Sequence, residues 1–267
     1  MLIGISGKMG SGKNLVCTII QGLTAAKKHN IENPSFEWIK KYYINSIWEQ
    51  KAFASKLKQT ASLLTGIPVE KFEDQEFKNK ELPEEWDKFA FYRENTRKPL
   101  RVYSSKEEAN KDIEIFKGGK VEILKMTPRL LLQIIGTECI RDKVHPNAWV
   151  NGLFSDYKAK WVPTGDSVAE EDVSLEKEYP NWIITDMRFP NELEAVKSRG
   201  GITIRVNRPY TTVVGGNGIP ATFSQNQFHP SETSLDSATF DFVISNDKDI
   251  EHLINEVRKI LEKLNII

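Results

Sequence analysis

Cysteine is nearly missing from this sequence: 267 residues contain two, Cys17 and Cys139. So few thiols exclude a disulfide framework and a zinc site built from four thiolates, and they suit a reducing compartment, the cytoplasm. No run approaches the roughly 18 consecutive apolar residues of a membrane-spanning helix, so no span is expected. Met1 to Gly7 lacks the basic start and long apolar core of a secretory leader. An excess of one charge is also missing. The 37 Lys and Arg balance 37 Asp and Glu, which excludes a protein that coats nucleic acid or anionic membrane by bulk positive potential. Six acids and one base (Lys177) fall within residues 166–178, so the remainder carries a modest positive excess, suited to a local basic pocket. Repeats and low-complexity tracts are absent.

What is present alternates. Leu2–Ser6 reads as a buried strand, and Leu15, Val16, Ile19, Ile20 and Leu23 recur at helical spacing behind it. A second strand is expected over Gln50–Ala54, then a helix that stops near Gly66-Ile67-Pro68. Residues 75–125 are polar and weakly periodic and read as an insertion with some helix. Thr127-Pro128 has the form of an N-cap followed by proline at the first helical position. A second polar insertion is expected at 163–180. Trp182–Thr185 then forms a strand ending at Asp186, Pro190 and Glu192 open a helix closed by Gly200-Gly201, and Ile202–Val206 and Phe242–Ser245 are strands. The last helix carries Ile250, Leu253, Ile254, Val257, Ile260, Leu261 and Leu264 on one stripe. Strands alternating with helices give an α/β class, with a mostly parallel five-stranded sheet and helices on both faces.

Gly7-Lys8-Met9-Gly10-Ser11-Gly12-Lys13-Asn14 fits the phosphate-binding pattern G-x-x-x-x-G-K, without its closing Ser or Thr. Glycines let successive N–H groups turn toward phosphate oxygens, Lys13 supplies a mobile charge, and the helix start adds its positive dipole end. Gly7, Gly10, Ser11, Gly12, Lys13 and Asn14 are therefore the candidate triphosphate ligands. Asn14 stands where a hydroxyl normally ligates Mg²⁺, and a neutral amide is a poorer ligand for that hard cation. Asp186, at a strand end, is the candidate acid that positions the metal or its waters; a solvated carboxylate is the plain alternative.

Asp186 and Arg188 are two apart, hence on one side of an extended segment. At the end of a parallel strand both face the crevice where α/β proteins bind ligands. Arg188 is a candidate phosphate clamp, or else an ion-pair partner of Glu192 or Glu194. Arg129, Gln133, Thr137 and Arg141 are four apart and lie along one ridge of a continuous helix, with the two arginines about 18 Å apart along its axis. Either they serve different groups, or Gly136-Thr137 breaks the helix and folds its ends together, or the face is solvated. His229, Ser231 and Glu232 read as a helix start and loop anchor.

Taken together these blocks resemble the bacteriophage deoxynucleoside monophosphate kinases. The resemblance rests on Gly4–Lys13, Phe53-Ala54-Ser55-Lys56-Leu57-Lys58, Thr127-Pro128-Arg129 with Gln133, Gly136-Thr137-Glu138, Arg141, Trp149-Val150, Ile184–Glu192, Gly200-Gly201, His229 with Ser231-Glu232, and Phe240–Asn246. It implies a P-loop kinase fold over a single domain, 1–267, with an adenylate-kinase-like core that moves the γ-phosphoryl group of ATP, with Mg²⁺, to a deoxynucleoside monophosphate. Lys13, Arg129, Arg141 and Arg188 become the catalytic set. Lys8, Lys58, Arg129, Gln133, Gly136, Thr137, Trp149 and Arg188 become the acceptor set, with Trp149 equally at home in a core and Lys58 on a solvated helix face. The glycine-rich stretch 207–230 is expected to cover the donor site. Partners are then the two nucleotides, with no membrane or nucleic acid, and a homodimer is compatible with this. Family members usually carry an acid after the loop lysine, so Asn14 departs from that pattern as well. A kinase of the dephospho-coenzyme A type would share the loop but not the Thr-Pro-Arg and Asp-Met-Arg-Phe-Pro-Asn-Glu blocks. An NTPase acting on nucleic acid would want basic runs interleaved with aromatics.

Overall fold

A computed structural model of the chain describes residues 1–94, 96, 99–164, 174–209 and 233–267. His229, Ser231, Glu232, most of the glycine-rich stretch 207–230 and the centre of the 163–180 insertion lie outside the described residues. The chain divides into two compact units, one of Met1–Ser55 with Asn147–Ile267, the other of Lys56–Pro146.

In chain order the first unit begins with β1 (Leu2–Ser6), α1 (Lys13–Lys28), α2 (Phe36–Tyr42) and β2 (Trp48–Lys51). Helix α3 (Ala54–Thr65) starts at the end of that segment and runs into the second unit, which continues through β3 (Lys88–Tyr92), β4 (Arg101–Tyr103), α4 (Lys106–Ile115), β5 (Lys120–Leu124) and α5 (Pro128–Gln133), the last running on as a π-helix over Ile134–Val144. The first unit resumes with α6 (Ala148–Phe154), β6 (Lys160–Thr164), β7 (Ser174–Glu178), β8 (Asn181–Met187), α7 (Pro190–Lys197), β9 (Ile202–Asn207), β10 (Phe242–Ser245) and α8 (Ile250–Lys263).

The sheet of the first unit has the order β10-β9-β1-β8-β2, and every neighbouring pair is parallel. β1 is central and its five residues are all buried. Alternation splits its side chains between two layers. Ile3 and Ile5 join Val16, Ile19, Ile20, Leu253 and Val257 of α1 and α8 on one face. Leu2 joins Val150, Leu153, Leu193 and Val196 of α6 and α7 on the other. The helices therefore cover both faces, as the sequence pattern requires. The second strand ends earlier than expected, at Lys51, because Ala54 already starts α3. Within the acid-rich insertion β6 and β7 pair antiparallel.

The 75–125 insertion is more ordered than its sequence suggests. It holds an antiparallel sheet of order β4-β3-β5 with α4, whose Asp112 is buried and takes hydrogen bonds from the Tyr103 hydroxyl and the Arg101 guanidinium. β4 has three residues and one aliphatic position, Val102, and strands of three to five residues are too short to show a clear period.

Packing of α8 is the simplest test of the first unit's core. Leu253, 1% exposed, truncated to alanine is expected to lower unfolding free energy by about 2–5 kcal/mol. Glu251→Ala on the exposed face should change it by less than about 0.5 kcal/mol. Urea unfolding of the two variants checks both values.

Candidate functional site

The loop between β1 and α1 sits at the carboxyl end of the central strand, where parallel sheets offer their ligand crevice. Three of its glycines are favoured by geometry, Gly10 by its φ of +77°, Gly7 by crowding and Gly12 by both. A side chain on Gly7 would come within 2.5 Å of the Val206 carbonyl oxygen and the Ser11 hydroxyl. Gly12 adopts φ +101°, and a Cβ there would lie 2.5 Å from Asn246 Nδ2. Gly10 has open space where its side chain would be. The Ser11 hydroxyl is buried with no hydrogen-bond partner among the described residues.

Gly12 offers α1 no side-chain cap, and the first turn of the helix contains no acid. The first N–H groups of a 16-residue helix are thus left for an anion, with the positive end of its dipole behind them. Lys13 Nζ donates to the carbonyls of Gly7, at 2.6 Å, and Lys8, at 2.8 Å, which holds the ammonium inside the loop. Asn14 is exposed. Two side chains from neighbouring strands brace the loop. Asn246, beyond β10, donates from Nδ2 to the Ser11 carbonyl at 2.9 Å, and its own N–H donates to Asn207 O at 2.7 Å. Arg208 reaches the Gly10 carbonyl at 3.5 Å.

Around this loop lie charges the sequence reading did not single out. Arg205 of β9 donates to Ser6 Oγ at 3.1 Å and to Asp236 at 2.8 Å, while Lys8 Nζ meets the other Asp236 oxygen at 3.1 Å. An arginine flanked by Ile204 and Val206 within a strand was the available signal for Arg205. Asp236 had none. Asp186 Oδ1 and Oδ2 accept the backbone N–H groups of Phe53, at 2.8 Å, and Ala54, at 2.9 Å. The carboxylate therefore holds the chain ahead of α3 as well as standing at a strand end. β8 carries a register shift against β1 between Ile184 and Met187, so simple alternation does not run through Asp186 to Arg188. Glu192 Oε2 accepts the backbone N–H of Arg188 at 2.7 Å and of Phe189 at 3.0 Å, closing the start of α7. Trp149 is buried, 8% exposed.

In the second unit, Arg129 and Gln133 lie on α5, but the ridge drawn from Arg129 to Arg141 ends there. The helix does not break at Gly136-Thr137; from Ile134 it widens to π winding, and His145 N–H closes it on the Ile140 carbonyl. Thr137 and Arg141 thus follow a different pitch from Arg129 and Gln133. Such widened turns are uncommon and recur at functional sites. Gly136 is buried, and a side chain there would meet Leu57 of α3 at 2.8 Å. Arg129 donates to Asn79 Oδ1 at 3.0 Å and Gln75 Oε1 at 3.3 Å. Lys58 pairs with Glu73.

Among the described residues no group of three or more His, Cys, Asp and Glu converges as a metal site, and no helix is long and apolar enough to cross a membrane. Burial pushes the Cys17 thiol up to about 12, so it stays protonated within α1.

Asn246→Ala removes one brace of the phosphate loop without opening the core. It is expected to weaken nucleoside triphosphate binding about three- to tenfold, the worth of one hydrogen bond. Calorimetric titration measures this, and an unchanged unfolding midpoint separates it from loss of fold.

The family model for deoxynucleotide monophosphate kinase matches residues 1–257. A candidate deoxynucleotide monophosphate kinase of Acanthamoeba polyphaga mimivirus is 30% identical over 135 residues, covering 49% of this chain and 59% of that protein. The deoxynucleoside-5'-monophosphate kinase of Escherichia phage T5 is 23% identical over 264 residues, 88% of this chain and 85% of that enzyme. The deoxynucleotide monophosphate kinase of Enterobacteria phage T4 is 26% identical over 136 residues, 51% and 46% of the two chains. With a glycine-rich loop at the end of the central strand of a parallel sheet and a family match over nearly its whole length, the chain belongs to the deoxynucleotide monophosphate kinase family.

Proposed function

We propose that the protein transfers the γ-phosphoryl group of ATP to a deoxynucleoside 5'-monophosphate, giving the diphosphate and ADP. The observation that carries this reading is the uncapped start of α1, with Lys13 folded into the loop ahead of it. An oxygen of the acceptor's phosphate attacks the γ-phosphorus, the bond from that phosphorus to the β,γ-bridging oxygen breaks, and ADP leaves. Such transfer asks the protein for positioning and charge stabilisation and needs no covalent intermediate.

Gly7, Gly10, Ser11, Gly12, Lys13 and Asn14 hold the donor phosphates in this reading, with the ammonium of Lys13 at the β- and γ-groups. Arg129, Arg141 and Arg188 serve the acceptor phosphate or the group in transit. Lys8, Lys58, Gln133, Gly136, Thr137 and Trp149 complete the acceptor set. Two polyanions need more cations than one, and a supply of arginines beyond the loop lysine supports transfer over simple hydrolysis.

Mg²⁺ fits this site as a passenger of ATP. The cation keeps several waters and takes one or two carboxylates plus substrate phosphates, as a nucleotide kinase that uses ATP needs. Asp186 is the protein group that would meet it or its waters. Its two oxygens also accept the Phe53 and Ala54 N–H groups, which fixes the carboxylate's orientation. When bound, the metal neutralises charge on the donor phosphates.

A panel of acceptors with ATP and Mg²⁺ tests the assignment. ADP formation that depends on a deoxynucleoside monophosphate is expected. Transfer to dephospho-coenzyme A alone, or hydrolysis stimulated by DNA or RNA with no acceptor, would overturn it. Lys13→Ala is expected to lower turnover about a hundredfold or more by removing charge stabilisation, with far-ultraviolet circular dichroism unchanged. Near-normal turnover in that variant would remove the loop from the mechanism.

A further inference from the structure

Seven residues of the second unit, Glu73–Asn79, gather three cations. The Glu73 carboxylate takes the ammonium of Lys58, whose side chain is 15% exposed. The backbone carbonyl of the same Glu73 takes the ammonium of Lys78 at 3.4 Å. Gln75 and Asn79 present their side-chain oxygens to two nitrogens of Arg129. The segment's own shape is fixed by Asp74, whose Oδ1 accepts the N–H groups of Glu76 and Phe77.

The partners are unequal to the charge they hold. Among the described residues Arg129 meets no carboxylate within ion-pair distance; its two contacts are neutral amide oxygens. Lys78 likewise is held by a carbonyl. Amide oxygens orient a cation without cancelling it, whereas structural arginines are commonly paired with acids. Burial, together with the positive charges of Lys58 and Arg129, lowers the pKa of Lys78, while Glu73 and Asp74 act the other way. Cations are drawn together here at an electrostatic cost that an arriving anion would relieve.

We propose that Lys78 is a third cation of the acceptor-phosphate site beside Lys58 and Arg129, and that Gln75 and Asn79 are positioning residues that aim Arg129 at that phosphate. The proposal rests on the functional reading above, since the ligand it assigns to these cations is the acceptor monophosphate. No motif marked Lys78: it lies in a polar stretch, and only folding places it near Lys58 and Arg129.

Calorimetric titration of the full chain with a deoxynucleoside monophosphate, with the matching nucleoside and with ATP provides the test. Lys78→Met is expected to weaken the monophosphate about tenfold or more, as for loss of a charged contact. Affinity for the nucleoside and for ATP should stay within about twofold, and Lys78→Arg should restore most of the loss. Gln75→Ala with Asn79→Ala should raise the acceptor KM more than it lowers kcat. Unchanged monophosphate affinity in Lys78→Met, or an equal loss for the nucleoside, overturns the proposal. These are binding measurements, so they stay separate from the functional reading. A wild-type protein that binds the monophosphate yet forms no diphosphate sinks that reading and leaves Lys78 to be judged on affinity. A wild-type protein that forms diphosphate while Lys78→Met binds normally overturns the proposal alone, and one that binds no monophosphate overturns both.

Discussion

Backbone hydrogen bonding along β1 is the constraint on which the first unit turns. The strand is central and parallel to both neighbours, and its side chains are buried on both faces. A strand so enclosed cannot shift register without exposing one layer and overfilling the other. Its end is therefore a fixed point, and the phosphate loop begins there. The close approach of Gly7 to the Val206 carbonyl and the grip of Asn246 on Ser11 extend that fixity from the sheet into the loop.

The second theme is cations held by groups that do not neutralise them. Arg129 lies against two amides and Lys78 against one carbonyl. Acids appear as well: Glu73 pairs with Lys58, and one acid is shared. Asp236 meets both Lys8 and Arg205. Such an arrangement keeps positive potential in place while limiting the freedom of long side chains, and pre-orientation of this kind is what electrostatic catalysis of phosphoryl transfer draws on.

Much of the first unit was legible in the sequence because its elements are long or apolar enough to show a period. β1, β9, β10 and α8 appear within a residue or so of where alternation and the helical stripe put them. Thr127-Pro128 caps α5 through the Thr127 hydroxyl, as its residue types require. The phosphate loop was readable because its glycines answer a steric demand that few residue types can meet. The rest was hidden for identifiable reasons. β4 has three residues. The π winding after Gln133 carries no compositional mark, and four-residue spacing read as α-helix drew a ridge that does not exist. Asp186 shows as an acid at a strand end, but its hold on the Phe53 and Ala54 N–H groups depends on a contact more than 130 residues away in sequence. Lys78 and Asp236 gain meaning only from their neighbours in space.

The bare first turn of α1 has a thermodynamic side. A helix that carries no cap of its own leaves that role to whatever anion occupies the loop, so part of the free energy of nucleotide binding is helix-capping energy. A ligand that completes the native state in this way also stabilises it against unfolding, by an amount that grows with the logarithm of its concentration above Kd. In the proposed function the missing cap makes triphosphate a structural component of the folded first unit, and the resistance of α1 to fraying becomes a measure of how much triphosphate surrounds it.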